Sequence, residues 1–223
     1  MDTITGNSRV AMGTKLGPSV ACLTMGLFEE RVLSSFQGTV PILYKRYIDD
    51  IVGVSVCSKV DLEQFIDFVS NFHPCLNFTH TISESSVTFL DMELSIEHCN
   101  IVSNIHFKPT DSHSYLLYSS SHPPSCINSI PSSQLLRAKR ICSKEADFDN
   151  AASMFNGFFL SRGYPPSVIT TANQRINLIS RESTLEATND VTNTDRIPLT
   201  LPFHPLLQHI RPHRIQELQN SHT

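Results

Sequence analysis

Apolar positions in the first part of the chain predict a helix that begins near Pro18. The positions predicted to face a core recur at helical spacing: Ala21, Met25, Phe28, Val32 and Phe36. Residues three and four apart share one face of a helix, so this spacing gives one buried stripe. Proline is common in a first helical turn. Gly38 and Pro41 then predict the end of the segment.

The next apolar positions, within residues 42–56, predict two short strands around a turn. Strand formers precede and follow the acidic pair Asp49-Asp50: Ile42, Leu43, Tyr44 and Tyr47 on one side, Ile51, Val52, Val54 and Val56 on the other. Two such runs separated by a short polar turn are typical of a β-hairpin. The pattern therefore predicts a turn made by the two aspartates.

A second helix and three further strands are predicted before residue 110. Ser58 with Asp61 resembles a capping box, with Asp in place of the usual Glu. An amphipathic stripe follows and ends at His73-Pro74. Strands are predicted around 76–82, 87–96 and 100–107. Phe89-Leu90-Asp91 is interpreted as strand core with one exposed, non-catalytic Asp. Helices and strands in mixed order predict an α+β fold.

From about Ser114 the periodicity becomes helical throughout. A loop at 119–124 precedes helices predicted at 132–143 and 148–160, and Gly163 ends the second of these. Ser167 is predicted to cap a third. Three helices with a Gly-ended second helix also fit helix-turn-helix-like packing. The predicted domains are 1–112, a helical domain at 113–182 and a linker or tail at 183–223.

Charge and cysteine usage narrow the class of protein. The net charge is −4, but residues 1–100 hold six Lys/Arg against twelve Asp/Glu, and residues 101–182 hold eight against five. An acidic part followed by a basic part suits a metal centre beside a phosphate-binding element. Six cysteines without a C-x-x-C pair predict free thiols in a reducing compartment. We therefore expect a nuclear or cytoplasmic protein, neither secreted nor held in a membrane.

The candidate chemistry centres on Tyr47-Ile48-Asp49-Asp50. Adjacent carboxylates repel one another, and a divalent cation removes that penalty. Mg²⁺ prefers such hard oxygen ligands and keeps positions open for substrate phosphates. Two ions of this kind flank the attacking and leaving oxygens in nucleotide addition. The alternative is an exposed Asp-Asp turn without a metal.

Several motifs in order resemble the reverse transcriptases of Penelope-like retroelements over residues 6–182. The matching stretches are Met12-Gly13-Thr14-Lys15, Tyr44-Lys45-Arg46-Tyr47 with Asp49-Asp50, Phe89-Leu90-Asp91, Lys108-Pro109-Thr110-Asp111, Tyr118 through His122-Pro123, Arg140-Ile141-Cys142, and Arg162-Gly163-Tyr164-Pro165. The resemblance implies the back half of a polymerase palm, with a mixed or antiparallel sheet and two helices, at 1–112. It implies a helical thumb at 113–182.

The resemblance also implies an activity and residue roles. The activity is RNA-directed DNA synthesis on an RNA template with a DNA primer and deoxynucleoside triphosphates. Asp49 and Asp50 would be the catalytic residues and hold two Mg²⁺ ions, and Tyr47 would lie beneath the primer end. Gly13 would allow close approach of nucleic acid. Lys15 would contact a phosphate, with a solvated loop lysine as the alternative.

The helical domain carries a basic group, Arg137, Lys139, Arg140 and Lys144. On one continuous helix Arg137, Arg140 and Lys144 would share a face and track the phosphates of a template–primer duplex. A solvated basic face is the alternative. Lys45 and Arg46 precede the turn and are interpreted as solvent-exposed residues, with contact to a nucleic-acid backbone as the alternative. His209 and His213 are four apart, but no third metal ligand accompanies them, and they are interpreted as a surface pair.

Part of the polymerase pattern is not found in the sequence. A third metal-binding Asp is expected from a strand upstream of the Gly-rich loop, with a fingers region before it, and no GIY-YIG endonuclease motif is found. The first hypothesis is therefore a reverse transcriptase fragment that is inactive alone. The second is a non-catalytic nucleic-acid-binding remnant of a retroelement. The third is an interaction protein that binds no nucleic acid.

Overall fold

The computed structural model describes residues 15–186, which contain six helices and five strands. The chain divides into two compact units between Leu90 and Asp91. The first unit contains α1 (Gly17–Ser35), β1 (Leu43–Tyr47), β2 (Asp50–Val54), α2 (Lys59–Asn71) and β3 (Ser86–Phe89). The second contains β4 (Met92–Glu97), β5 (Asn100–Ile105), α3 (Pro124–Ile141), α4 (Glu145–Ser161), α5 (Pro166–Asn177) and α6 (Arg181–Leu185). The α+β class is confirmed.

The first unit has a small core between α1 and α2. Its buried residues are Phe28, Val32, Phe65 and Val69, and Leu76 and Phe78 pack against them. Ser58 caps α2, because its hydroxyl accepts a hydrogen bond from the Asp61 amide, as the sequence predicts. Of the predicted stripe on α1, Phe28 and Val32 are buried, whereas Ala21 is exposed.

Strands β1 and β2 form the predicted antiparallel hairpin. Its register pairs Leu43 with Val54 and Tyr47 with Asp50, which leaves Ile48 and Asp49 as a two-residue turn. The predicted turn of Asp49 and Asp50 is therefore displaced by one residue, because Asp50 pairs in the ladder as the first residue of β2. Ile48 takes a positive φ of 56°, as the first residue of a type II′ turn does.

The second unit combines a β4–β5 hairpin with four helices. Glu97 pairs with Asn100 at one end of the hairpin and Met92 with Ile105 at the other. Fourteen buried residues form one core, which is rich in aromatic side chains such as Phe155, Phe159 and Tyr164. Ile105 of β5 belongs to this core, so the hairpin is part of the helical unit. The units divide earlier than the domain boundary that the sequence predicts after residue 112.

Several predicted elements are wrong or displaced in the first hundred residues. The segment predicted as a strand at 76–82 forms none, because Leu76 and Phe78 contribute side chains to the α1–α2 core without ladder pairing. The strand predicted at 87–96 is two strands. Leu90 has a φ of 58° and turns the chain, so Phe89-Leu90-Asp91 ends one strand and makes a turn.

The helical predictions differ mainly at the ends of helices. Helix α3 begins at Pro124, well before the predicted Ser132, and contains the buried Pro131. Pro165, and not Ser167, precedes α5 as its N-cap, and no side-chain hydrogen bond caps this helix. Helix α6 occupies the start of the predicted linker at 183–223. The rest of that linker, with His209 and His213, lies outside the described residues.

Candidate functional site

The aspartate pair lies at the end of the β1–β2 hairpin. Asp49 is in the turn, Asp50 begins β2, and Tyr47 is the cross-strand partner of Asp50. All three side chains are exposed, and Tyr47 retains 58% of its accessible surface. The hairpin turn and the adjoining ladder pair therefore hold Tyr47, Asp49 and Asp50 next to one another.

The two faces of this hairpin carry different residues and make different contacts. Directly paired residues share a face, and neighbours along a strand alternate. Tyr47 and Asp50 therefore share one face, and Arg46 and its partner Ile51 share the other. The face of Arg46 contacts α1, as its ion pair with Glu29 shows. The face of Asp50 is the one without this contact.

Arg46 braces the turn that carries Asp49, a role that the sequence did not reveal. Its Nε donates to Glu29 Oε1 at 2.6 Å, and its Nη2 donates to Oε2 at 3.2 Å. Its Nη1 donates to the carbonyl of Ile48 at 2.9 Å. A β-branched residue at positive φ is strained by about 1–3 kcal/mol. The guanidinium offsets part of this strain and fixes the turn to α1.

Electrostatics on the anchored face are dominated by Glu29. The hydrogen bond from Arg46 to this carboxylate raises the pKa of the guanidinium above its usual value. Burial, and secondarily the charge of Glu29, raises the pKa of Tyr44 to about 12. Arg46 is therefore a half-buried structural cation, which corrects its interpretation as an exposed residue.

The carboxylates at the turn are the right kind of ligand for a hard divalent cation, but there are too few of them. Two adjacent carboxylates offer the oxygen ligands that Mg²⁺ prefers. Among residues 15–186, however, no group of three His, Cys, Asp or Glu side chains is placed to hold a metal ion. A two-ion centre would therefore need further ligands from outside the described residues.

Two further residues of the first part are predicted to contact nucleic acid. Lys15 is exposed at the turn before α1 and has no ion pair within the described residues. Gly13 lies outside the described residues.

Two of the three predicted thumb residues are paired within their own unit. Arg137 donates to Asp91 Oδ2 through Nε at 2.8 Å and through Nη2. The Lys144 ammonium contacts both Glu97 oxygens, at 2.7 and 2.8 Å. Asp91 lies in the turn just before β4 and Glu97 is its last residue, so carboxylates at the two ends of this strand neutralise the basic residues.

The predicted common face of Arg137, Arg140 and Lys144 is wrong. Helix α3 ends at Ile141, and Lys144 has an extended backbone as the N-cap of α4. Lys139 is 7% exposed, binds Glu145 at 2.7 Å and lies 4.5 Å over the Phe148 ring. Arg140 alone of this group is exposed and without an ion pair in the described part of the chain.

The connection between α4 and α5 is a tight turn that begins at Arg162. Gly163 has a φ of 81°, a value that favours glycine, and its amide donates to Leu160 at 3.0 Å. The amide of Tyr164 donates to Phe159, and Arg162 Nε donates to the Tyr115 carbonyl at 2.6 Å. These contacts fix the angle between the two helices, as a helix-turn-helix requires.

One known protein family resembles this helical region. No helix within residues 15–186 is long and apolar enough to cross a membrane. No curated protein and no solved structure matches the chain. The profile of one family, described as the animal helix-turn-helix domain, matches residues 114–174. The match covers helices α3 and α4 and most of α5, so this helical region is similar to the animal helix-turn-helix domain.

Proposed function

We propose that this chain is part of a reverse transcriptase and that its β1–β2 hairpin carries two carboxylates of the nucleotidyl-transfer centre. The supporting observation is the position of Asp49 and Asp50 at the end of a braced hairpin. Asp50 lies on the hairpin face opposite Arg46. Strained turns held by surrounding contacts are frequent at functional sites. The motifs that resemble Penelope-like reverse transcriptases support the same assignment.

Each residue near the turn has a proposed task in this centre. Asp49 and Asp50 would hold Mg²⁺, which when bound would stabilise the charge on the reacting phosphate. Tyr47 shares the Asp50 face and would support the primer end there. Arg46 positions the turn through Glu29 and is a positioning residue. The described residues supply two of the carboxylates, so a further ligand would come from outside residues 15–186.

Metal binding by the full chain tests the hairpin directly. We expect Mn²⁺, followed by electron paramagnetic resonance, to bind the unmodified protein, and Asp49→Asn to lower its affinity by about tenfold or more. Asp67→Asn is a matched control, because Asp67 is exposed on α2 and its carboxylate makes no ion pair there. Equal Mn²⁺ affinity in the two variants would contradict the metal assignment.

Primer extension tests the reaction itself. The assay uses an RNA template, a DNA primer, deoxynucleoside triphosphates and Mg²⁺, with an enzyme in which this chain is joined to the segment that supplies the further carboxylate. Asp49→Ala should abolish extension while circular dichroism stays unchanged, because the side chain is exposed and supports no packing. Normal extension by this variant would overturn the polymerase proposal.

A second candidate function is nucleic-acid binding without catalysis. The family profile at 114–174 favours it, since helix-turn-helix regions commonly bind nucleic acid. The full chain should then bind an RNA–DNA hybrid with an affinity that falls steeply with salt, yet add no nucleotide. A flat salt response would instead support a protein that binds no nucleic acid.

A further inference from the structure

A groove between α3 and α5 collects polar side chains of one chemical kind. Its volume is about 340 Å³, and its polar lining residues are Asn128, Ser132, Ser167, Thr171 and Arg175. None of the described residues that line it is a carboxylate. In a chain of net charge −4, a groove lined by hydrogen-bond donors and a guanidinium is a local exception. We call it the Arg175 groove.

Most side-chain donors of the Arg175 groove have no hydrogen-bond or ion-pair partner among the described residues. Arg175 is exposed and makes no ion pair with a described residue. The side chains of Asn128, Ser132 and Ser167 likewise make no hydrogen bond within residues 15–186. Thr171 differs, because its hydroxyl donates to the Ser167 carbonyl at 2.8 Å. The contrast with Arg137 and Lys144 is direct, since those cations are already paired with carboxylates.

A second cavity continues the Arg175 groove past the first turns of α3. It measures about 280 Å³, shares Asn128 with the groove, and is also lined by Ser120, Ser121 and His122. Again no carboxylate is among the described lining residues. In this second cavity Ser120 Oγ and His122 Nδ1 hydrogen-bond each other at 2.6 Å, so Arg175 and its neighbours hold most of the unpartnered polar groups.

These observations select a ligand with repeated acceptor oxygens and negative charge. Arginine, serine, threonine and asparagine side chains are among the groups with which proteins contact nucleic-acid phosphates. We propose that the Arg175 groove binds the phosphodiester backbone of nucleic acid, with Arg175 as the ion-pairing residue and the neutral side chains as hydrogen-bond donors. The proposal rests on the nucleic-acid function proposed above and moves the contact surface from Arg137 and Lys144 to α5.

Fluorescence anisotropy of the full chain with an RNA–DNA hybrid and with a single-stranded DNA tests this surface across salt. We expect Arg175→Gln to reduce the slope of log affinity against log salt by about 0.7–0.9, the loss of one phosphate contact. The matched control is Arg31→Gln, which changes the charge equally at an exposed residue of α1. It should leave the slope unchanged. Whether the hybrid or the single strand loses more identifies the form that the groove binds.

A second variant tests the neutral part of the groove. Asn128 lines both cavities, and Asn128→Asp adds a negative charge there at nearly constant shape. We expect this variant to bind nucleic acid more weakly than the unmodified protein. Circular dichroism checks that each variant folds. An unchanged slope in Arg175→Gln together with a reduced slope in Arg140→Gln would overturn the groove and leave nucleic-acid binding intact. No binding by the unmodified chain would overturn both.

Discussion

The two units of this chain differ in how completely they are packed. Within the described residues, the core of the first unit has four buried residues, whereas the core of the second has fourteen. Leu16, the N-cap of α1, and Leu23 and Leu27 on that helix each keep more than half of their accessible surface. The hairpin with the aspartates thus belongs to the less buried unit, and the helix-turn-helix to the better packed one.

The residues proposed to be catalytic and the larger of the two cores therefore lie in different units. Burial of apolar surface is the main stabilising term in folding, so the second unit should hold most of the free energy of unfolding. The first unit depends more on discrete polar contacts, such as the pair between Glu29 and Arg46. Substitutions in the two units should therefore act through different physical causes.

The largest expected effect comes from the aromatic core of the second unit. Phe159 is fully buried and packs against Tyr115, Phe155 and Tyr164. Phe159→Ala should lower the free energy of unfolding by about 3–5 kcal/mol, because it removes apolar contacts and leaves a cavity. Urea unfolding, followed by peptide-resolved hydrogen exchange, measures the loss in each unit.

The control for this prediction is an exposed residue of the same unit. Leu178 keeps 89% of its accessible surface, so Leu178→Ala should change stability by no more than about 0.5 kcal/mol. If Phe159→Ala accelerated exchange in the first unit as much as in the second, the units would not be independent, and the comparison would be wrong.

A smaller effect is expected from the polar brace of the first unit. Glu29→Gln removes the charged acceptor of Arg46 and should cost about 1.5–3 kcal/mol. The loss should concentrate in the amides of residues 43–54, because Arg46 also holds the Ile48 carbonyl. Hydrogen exchange of these peptides measures it.

Glu30→Gln is the neighbouring control for the brace, because Glu30 is exposed and makes no ion pair with a described residue. In Glu30→Gln, the hairpin amides should be protected from hydrogen exchange as well as in the unmodified protein. Equal loss of protection in the two variants would show that general charge, and not the contact with Arg46, maintains the turn.

Local patterns predicted the parts of the fold that local interactions determine. The β1–β2 hairpin, the capped α2 and the stop at Gly163 follow from strand alternation, a side-chain cap and a positive φ. The strand predicted at 76–82 is wrong because apolar residues there pack on helices instead of pairing. Helix α3 begins earlier than the pattern predicts, because a proline inside a helical pattern normally indicates a helix boundary. Pro131 is nevertheless buried within this helix.

Tertiary ion pairs explain what sequence reasoning missed in the candidate site. The pairs of Arg137 with Asp91 and of Lys144 with Glu97 join residues more than forty positions apart, which no local pattern reveals. The ion pair of Arg46 with Glu29 also joins residues that are distant in sequence, so the local pattern predicts an exposed Arg46. Only strand alternation offered a hint, since it places Arg46 on the hairpin face opposite Asp50.

The smallest expected effects test the turn of the helix-turn-helix with two glycines of opposite role. Gly163 has a φ of 81° with no neighbouring atom within 4 Å of an added Cβ, so Gly163→Ala should destabilise by about 1–2 kcal/mol through backbone strain alone. Gly157 lies inside α4, also with open space around it, so Gly157→Ala should stabilise by about 0.5–1 kcal/mol. Urea unfolding of both variants gives the signs. Loss of stability in both would mean that crowding, and not the conformation of the turn, limits this unit.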